Sequence, residues 1–129
     1  MSKRPKVLIL EDEIMVGWAL REVLNVAGYE VTGIAATVSD ALCLAEITRP
    51  DLAIVDVRLP GHQDGIEGAG LLRQQFGIKV VFLTGEIDTA TARRASAVNP
   101  DGYLVKPVHS QVLIQVIRGA VGGAQGRSV

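Results

Sequence analysis

The sequence predicts an α/β fold: a doubly wound sheet of five parallel strands with five helices on both faces. Short runs of Val, Ile and Leu alternate with longer segments that repeat apolar residues every three or four positions. This alternation favours strand–helix–strand units with right-handed crossovers. Of the residues, 48% are hydrophobic but only 4% are aromatic, and such aliphatic composition is typical of a parallel sheet covered on both faces.

The first two strands are predicted at residues 7–10 and 30–35, with a helix between them. Gly28 ends that helix, because glycine readily adopts the left-handed conformation that follows a helix. The apolar face of the helix comprises Val16, Leu20, Val23 and Ala27. The 129 residues therefore begin with one complete strand–helix–strand unit.

A second helix and a third strand follow. Residues 37–40 match a capping box at a helix start, and Pro50 closes the helix, because the residue before proline avoids the helical region. The inward residues of this helix are Val38, Ala41, Leu42 and Ala45. Residues 52–55 form the third strand, which ends at Asp56.

The second half continues the same alternation. A turn-rich loop at 60–65 leads into a helix that ends near Phe76, and residues 79–83 form the fourth strand. The helix predicted at 87–98 is rich in alanine and poor in large apolar residues. We expect it to be the least firmly anchored element.

The fifth strand is predicted at 102–105, and a final helix completes the domain, which we place at residues 1–121. The apolar stripe of this helix comprises Val108, Val112, Val116 and Ala120, widened by Leu113 and Ile117. Residues 122–129 contain three glycines and are expected to form a flexible tail, with no output domain.

Composition limits the function classes. With 13 basic and 14 acidic residues the net charge is −1, which gives no nucleic-acid footprint. Cys43 is the sole cysteine, so an internal disulfide is excluded and a reducing compartment is favoured. No apolar run approaches the ~20 residues that span a bilayer. The expected location is the cytoplasm, without membrane association.

Polar side chains that could carry chemistry follow four of the five strands. They are Glu11 and Asp12 after the first strand, Asp56 after the third, Thr84 after the fourth and Lys106 after the fifth. Ligands of doubly wound sheets bind at the carboxyl ends of the strands, so these side chains should converge on one edge.

The residue types indicate phosphoryl transfer. Three neighbouring carboxylates repel one another unless a cation lies among them, and oxygen ligands suit Mg²⁺. A metal-neutralised Asp56 could attack phosphorus and form an acyl phosphate. Lys106 would neutralise charge, and the hydroxyl of Thr84 would donate to a phosphoryl oxygen.

These residues resemble the receiver domain of bacterial response regulators over about residues 5–120. The motifs are Ile9-Leu10-Glu11-Asp12-Glu13, Val55-Asp56-Val57-Arg58-Leu59-Pro60-Gly61, Phe82-Leu83-Thr84-Gly85 and Gly102-Tyr103-Leu104-Val105-Lys106-Pro107. The resemblance implies a flavodoxin-like strand order, 2-1-3-4-5. It also implies phosphorylation by a histidine kinase or a phosphotransfer protein in a two-component system or phosphorelay.

The resemblance assigns roles to matching positions. Asp56 would be the phosphoacceptor, and Asp12, Asp56 and the backbone carbonyl of Arg58 would bind Mg²⁺, with Glu11 acting through water. Thr84 and Lys106 would contact the phosphoryl group. Tyr103 would be a switch aromatic whose ring turns inward when Thr84 moves. The Lys106–Pro107 bond would be cis.

Two segments depart from the family pattern. The loop 60–65 looks one residue longer than usual, and Gly85-Glu86 precedes an atypical helix. Together with residues 31–33 and 77–85, these departures resemble stand-alone receivers that partner HWE-type histidine kinases in alphaproteobacteria.

Several alternatives stay open. A phosphatase of the haloacid-dehalogenase type would need an acid where Arg58 stands, and a nucleotide binder would need a glycine where Arg73 stands. The third alternative is an interaction module that works without phosphorylation. Tyr103 could also be a plain core residue, and Arg93 and Arg94 a solvated face.

For the remaining candidates the sequence favours ordinary structural roles: a small helix residue without redox function for Cys43, and loop or capping positions for His62 and His109. Trp18 is not assigned a role. We predict a receiver that is no enzyme beyond its own phosphoryl uptake and slow dephosphorylation. Its output surface would comprise the helix 87–98, the fifth strand and the last helix.

Overall fold

The computed structural model describes residues 4–59 and 64–127, and the side chains among them as far as residue 122. The strands are β1 (Lys6–Leu10), β2 (Glu30–Ala35), β3 (Leu52–Asp56), β4 (Lys79–Thr84) and β5 (Gly102–Val105). The helices are α1 (Ile14–Val26), α2 (Val38–Thr48), α3 (Gly65–Phe76), α4 (Thr89–Ala97) and α5 (Ser110–Arg127). Each strand lies within one residue of its predicted bounds.

All strand pairs are parallel, and the order β2-β1-β3-β4-β5 confirms the predicted fold class. The strand order reverses between β1 and β3, the point at which doubly wound folds bind ligands. In β3 and β4, Asp56 lies beside Leu83, and in β4 and β5, Thr84 lies beside Val105. The register therefore brings the ends of the central strands to one edge.

Two apolar layers enclose the sheet, because successive strand residues point to opposite faces. The layer under α2, α3 and α4 contains Leu8, Leu10, Val55, Val80 and Phe82 from the strands. The layer under α1 and α5 contains Val7, Ile9, Ile54, Val81 and Leu83. Each of these ten side chains is fully buried, which holds the central strands, and hence their ends, in place.

Helix starts and ends follow local capping. The hydroxyl of Thr37 accepts a hydrogen bond from the Asp40 N–H at 3.1 Å, which is the half of the predicted capping box that the described contacts contain. Arg49 ends α2 with a φ of 50°, and Gly28 follows α1 with a φ of 99°. A complete capping box opens α3, with Asp64 and Glu67 bonded to each other's backbone N–H.

Helix α4 begins at Thr89, two residues later than predicted. Asp88 sets this start, because its carboxylate accepts the Thr91 N–H at 2.8 Å and caps the first turn. Ala95 is the one fully buried residue of the helix. The expectation of a weakly anchored element therefore has a structural basis in its small buried area.

The apolar faces of the first and last helices differ in detail from the prediction. In α5 the buried residues include Leu113, Ile117 and Ala120, whereas Val112 is 45% exposed and Val108 precedes the helix. The buried face of α5 therefore lies about one residue later along the chain than the apolar face that we predicted. In α1 Leu20 and Leu24 are buried, and Ala27, predicted to face inward, is an exposed C-cap residue.

The last helix also continues to Arg127, past residue 121 where we placed the end of the domain. Glycine costs only about 1 kcal/mol in a helix, so Gly122 and Gly123 weaken the helix without ending it. The flexible tail at 122–129 stays a prediction. The lengthened loop and His62 fall on residues 60–63, which lie outside the described residues. No helix in the described part of the chain is both long and apolar enough to cross a membrane.

Candidate functional site

The predicted site residues converge at the carboxyl edge of the sheet. Backbone hydrogen bonds extend the ladder one residue past the strands, from Glu11 N–H to the Ala35 carbonyl at 2.9 Å and from Lys106 N–H to the Thr84 carbonyl at 2.8 Å. Because the ladder continues, these side chains keep the alternation of their strands. The strand-end argument is therefore correct for the placement of all five polar residues.

Three carboxylates form an acidic cluster comprising Glu11, Asp12 and Asp56. Each offers one oxygen, and these oxygens all lie within 4.8 Å of one another. Glu11 and Asp56 are 1% and 4% exposed, whereas Asp12 is exposed to solvent. The cluster is thus open on the Asp12 side, where an ion or a phosphoryl group could enter.

Asp56 is held at both carboxylate oxygens. Its Oδ1 accepts the backbone N–H of Arg58 at 2.9 Å, and its Oδ2 accepts the ammonium of Lys106 at 3.0 Å. Burial alone would lower the pKa of Lys106, but the hydrogen bond and charge of Asp56 and the charge of Glu11 outweigh it and raise the pKa. Lys106 therefore carries its positive charge at any physiological pH.

Glu11 is the least satisfied group of the acidic cluster. Its Oε2 accepts the backbone N–H of Glu13 at 3.0 Å, while its buried Oε1 accepts no hydrogen bond from any described residue, although Lys106 Nζ lies 3.4 Å away. Burial, opposed by the Glu13 N–H and reinforced by the charge of Asp56, raises the pKa of Glu11 to about 7. A buried oxygen without a hydrogen-bond donor, beside two more carboxylates, suits a bound cation.

Glu11→Gln is expected to stabilise the metal-free protein at alkaline pH. The folded-state pKa of about 7 lies above the ordinary glutamate value of 4.5, so wild-type stability from this group is complete below the lower value and is lost as pH rises through the upper one. Relative to Glu11→Gln, the wild-type free energy of unfolding should fall by roughly 3 kcal/mol between these values. Urea unfolding in EDTA at several pH values measures this difference.

Glu46→Gln, at an exposed position of α2, is the matched control and should show no such pH-dependent gain. Adding Mg²⁺ at pH 8 should shrink the advantage of Glu11→Gln, because a cation stabilises the ionised carboxylate. Parallel stability curves for wild type and Glu11→Gln across this pH range would contradict the prediction.

Thr84 and Tyr103 occupy positions from which both could move. The Thr84 hydroxyl is largely buried and donates to the carbonyl oxygen of Gly85 at 3.0 Å, so it is engaged locally and not with the acidic cluster. The Tyr103 side chain is 44% exposed, with its ring centroid 6.1 Å from that of Phe82. Tyr103 is therefore not a core residue in this state.

Lys106 contacts one acid to which the sequence assigned no role. Glu13 Oε1 lies 3.4 Å from Lys106 Nζ, so the ammonium faces three carboxylates from two strand ends. Glu13 directly follows Glu11 and Asp12, and this run of three acids was the available signal. The Lys106–Pro107 bond is cis, as predicted.

Two further features beside the site could not be found from sequence. Arg94, expected to be solvated, forms an ion pair with Asp64 at 2.8 Å, which joins α4 to the start of α3. Gly65 packs so closely under Asp56 that a β-carbon there would lie 1.7 Å from the Asp56 carbonyl oxygen. Arg93 is exposed, as expected of a solvated face.

Comparison with known proteins decides the family. The model of the response regulator receiver domain matches residues 7–118. The chain belongs to this family. The receiver is 38% identical over 116 residues to the transcriptional regulatory protein PdtaR of Mycobacterium tuberculosis, covering 90% of this chain and 56% of that protein. It is 30% identical over 117 residues to the DNA-binding response regulator MtrA of the same species, covering 91% and 50%.

Solved receiver structures superpose closely on this one. The signal receiver domain of a modulated diguanylate cyclase from Desulfovibrio desulfuricans has a TM-score of 0.91 and 37% identity, covering 97% of this chain and 99% of that one. A CheY-like receiver domain protein from Methanospirillum hungatei has a TM-score of 0.88 and 25% identity, covering 97% and 99%. The chain spans about half the length of the curated relatives it matches, so their activities as whole proteins do not transfer to it directly.

Proposed function

We propose that this receiver accepts a phosphoryl group on Asp56 from a histidine kinase or a phosphotransfer protein in the cytoplasm. The observation that supports this most directly is the placement of Asp56, whose buried carboxylate lies 3.0 Å from the Lys106 ammonium in the acidic cluster. Membership of a family that signals by phosphorylation supports the same function. The finer resemblance to receivers of HWE-type kinases stays a prediction.

The carboxylates of Asp12 and Asp56, the backbone carbonyl of Arg58 and, through water, Glu11 would hold Mg²⁺. When bound, this ion would neutralise the charge of the carboxylates and of the incoming phosphoryl oxygens. The Oε1 of Glu11 supports this assignment, because this buried oxygen accepts no hydrogen bond from the described residues, and the single Lys106 ammonium beside it is shared among three carboxylates.

The transfer itself is a substitution at phosphorus. One carboxylate oxygen of Asp56 forms a P–O bond while the P–N bond of the donor phosphohistidine breaks, and the imidazole leaves with the electron pair and takes up a proton. On phosphorylation the negative charge would shift from the Asp56 carboxylate to the phosphoryl oxygens, and the Lys106 ammonium would then bind one of these oxygens. Attack of water on phosphorus would later release phosphate and restore the carboxylate.

Phosphoryl uptake tests the proposal. We expect intact-mass spectrometry to show one added phosphoryl group after incubation with acetyl phosphate and Mg²⁺, and none with EDTA. If neither acetyl phosphate nor a phosphorylated histidine kinase transfers a group, the domain works as an interaction module without phosphorylation. Steady release of phosphate from an unrelated phosphomonoester would instead favour the phosphatase alternative.

We also propose that phosphorylation changes a surface formed by α4, β5 and α5, where a downstream protein binds. The new charge of about −1.5 to −2 would attract the Thr84 hydroxyl away from the Gly85 carbonyl. That movement would free the space into which the Tyr103 ring can turn. The weak anchoring of α4, with Ala95 alone fully buried, supports a response of this helix.

Trp18→Phe/Tyr103→Trp reports on this surface, since Trp18 is the one native tryptophan. With Mg²⁺ and beryllofluoride, a phosphoryl mimic, we expect a blue shift of the emission as the side chain leaves solvent. Adding Thr84→Val, which keeps the shape but removes the hydroxyl, should abolish the shift. A shift that persists without the hydroxyl would contradict the coupling, and an unchanged spectrum in both proteins would contradict the movement.

A further inference from the structure

A cavity of about 770 Å³ opens at the end of the sheet opposite the acidic cluster. Its lining includes Lys6 and Lys79, the first residues of β1 and β4, and Asp51, which directly precedes β3. These residues lie at the amino ends of parallel strands, whereas Asp56 lies at a carboxyl end. The cavity is thus separate from the phosphoryl-accepting site.

The cavity concentrates positive charge. Among the described residues its lining carries four cationic side chains, from Arg4, Lys6, Arg49 and Lys79, against the one carboxylate of Asp51. Four positive charges and one negative charge sum to +3, although the whole chain has a net charge of −1. Glu46 pairs with Arg49 at 3.0 Å, but both side chains are more than 60% exposed, so solvent screens this pair.

Backbone carbonyl groups hold the two lysines in position. Lys6 Nζ donates to the Thr48 carbonyl at 3.3 Å, and Lys79 Nζ donates to the Ala120 and Val121 carbonyls at 3.0 and 3.2 Å. The Asp51 carboxylate is occupied by the backbone N–H of Lys6 at 2.8 Å. Within residues 4–59 and 64–122, no carboxylate pairs with either ammonium group, and each group has a further N–H to donate.

Arg49 is also fixed. It has a φ of 50°, and its guanidinium lies 5.4 Å from the centre of the Phe76 ring. A guanidinium over a ring is held by a cation–π contact and keeps N–H groups that suit phosphate oxygens.

We propose that this cavity binds a small anion with two or more linked phosphate groups. Several fixed cations in a concave site favour such a compact polyanion over a single carboxylate. A nucleic acid is disfavoured, because it needs an extended basic surface and this chain is slightly acidic. The linked phosphates could belong to an inorganic polyphosphate or to a nucleotide, and recognition would rest on the phosphates.

Calorimetric titration with tripolyphosphate in EDTA tests this proposal. The Asp56→Asn background without metal keeps phosphate groups away from the acidic cluster. We expect saturable binding, with Lys6→Gln and Lys79→Gln each weakening affinity at least about fivefold. Arg21→Gln removes the same charge from exposed α1, outside the cavity lining, and should leave affinity within about twofold.

Amide NMR shifts locate the bound ligand on the Asp56→Asn protein itself. This measurement needs no further substitution in the cavity and therefore does not depend on variants that fold poorly. We expect tripolyphosphate to shift the backbone amide signals of cavity residues that carry an N–H, including Arg4, Lys6, Arg49, Asp51, Gly77 and Lys79. If ATP binds with the same affinity as tripolyphosphate, the cavity recognises the phosphates alone. If ATP binds more tightly than tripolyphosphate, the ligand is a nucleotide. Absence of binding, or equal losses in the Lys79→Gln and Arg21→Gln proteins, would overturn the proposal without affecting the proposed function of Asp56.

Discussion

Asp56→Asn is expected to abolish phosphoryl incorporation from acetyl phosphate in the presence of Mg²⁺. The amide keeps the oxygen that accepts the Arg58 N–H, so the local turn should persist. It replaces the oxygen that faces Lys106 Nζ at 3.0 Å by a poor nucleophile without charge. Intact-mass spectrometry over a time course measures the loss, with no phosphoryl group detected on the variant.

Asp40→Asn is the matched control, because Asp40 is an exposed residue in the first turn of α2. Its uptake should equal that of the wild type. Incorporation that survives in Asp56→Asn would mean that another carboxylate accepts the group, with exposed Asp12 the first candidate. Peptide mapping of the labelled protein would then identify the site.

The sequence predicted the strands and their ends well for a physical reason. The central strands are continuous aliphatic runs buried on both faces, and nothing but a strand between helices accommodates runs of this length. Since strand ends in a parallel sheet meet at one edge, the placement of Asp56, Thr84 and Lys106 followed from their order along the chain.

The energetics of the acidic cluster did not follow from the sequence. Glu11 and Asp12 are adjacent, yet Glu11 is buried and Asp12 is exposed; the backbone N–H of Glu11 still bonds to the Ala35 carbonyl, which keeps Glu11 in the sheet. Burial also keeps solvent from Glu11 Oε1, which accepts no hydrogen bond from the described residues. A sequence shows which acidic residues are neighbours along the chain, but it does not show which of them is buried and loses its hydration.

Contacts between elements that are distant in the sequence also could not be predicted from it. Glu13 and Lys106 are 93 residues apart in the sequence. The Arg94–Asp64 ion pair joins α4 to the residue before α3, and the sequence pattern does not show how these two helices lie relative to each other. The exposed state of Tyr103 is a similar case, since a short strand of four residues at the sheet edge leaves one of its sides uncovered. The basic cavity likewise collects residues from four separate segments.

Gly65→Ala is expected to destabilise the fold strongly and to damage the site at the same time. A β-carbon at residue 65 would lie 1.7 Å from the Asp56 carbonyl oxygen and 3.2 Å from Val55 Cγ1, and the obstructing oxygen belongs to the backbone of β3. Relief of the clash requires a shift of α3 or of the end of β3. We expect a loss of more than about 4 kcal/mol in urea unfolding, because the strain falls on buried main chain.

Gly70→Ala supplies the control within the same helix, since nothing lies within 4 Å of a β-carbon at that position. Alanine favours helix over glycine, so this variant should gain about 0.5–1 kcal/mol. If Gly65→Ala instead matched Gly70→Ala in stability and in phosphoryl uptake, the close approach of α3 to Asp56 would not hold in solution. Loss of stability at residue 65 alone would show that this glycine lets a helix begin directly beneath Asp56.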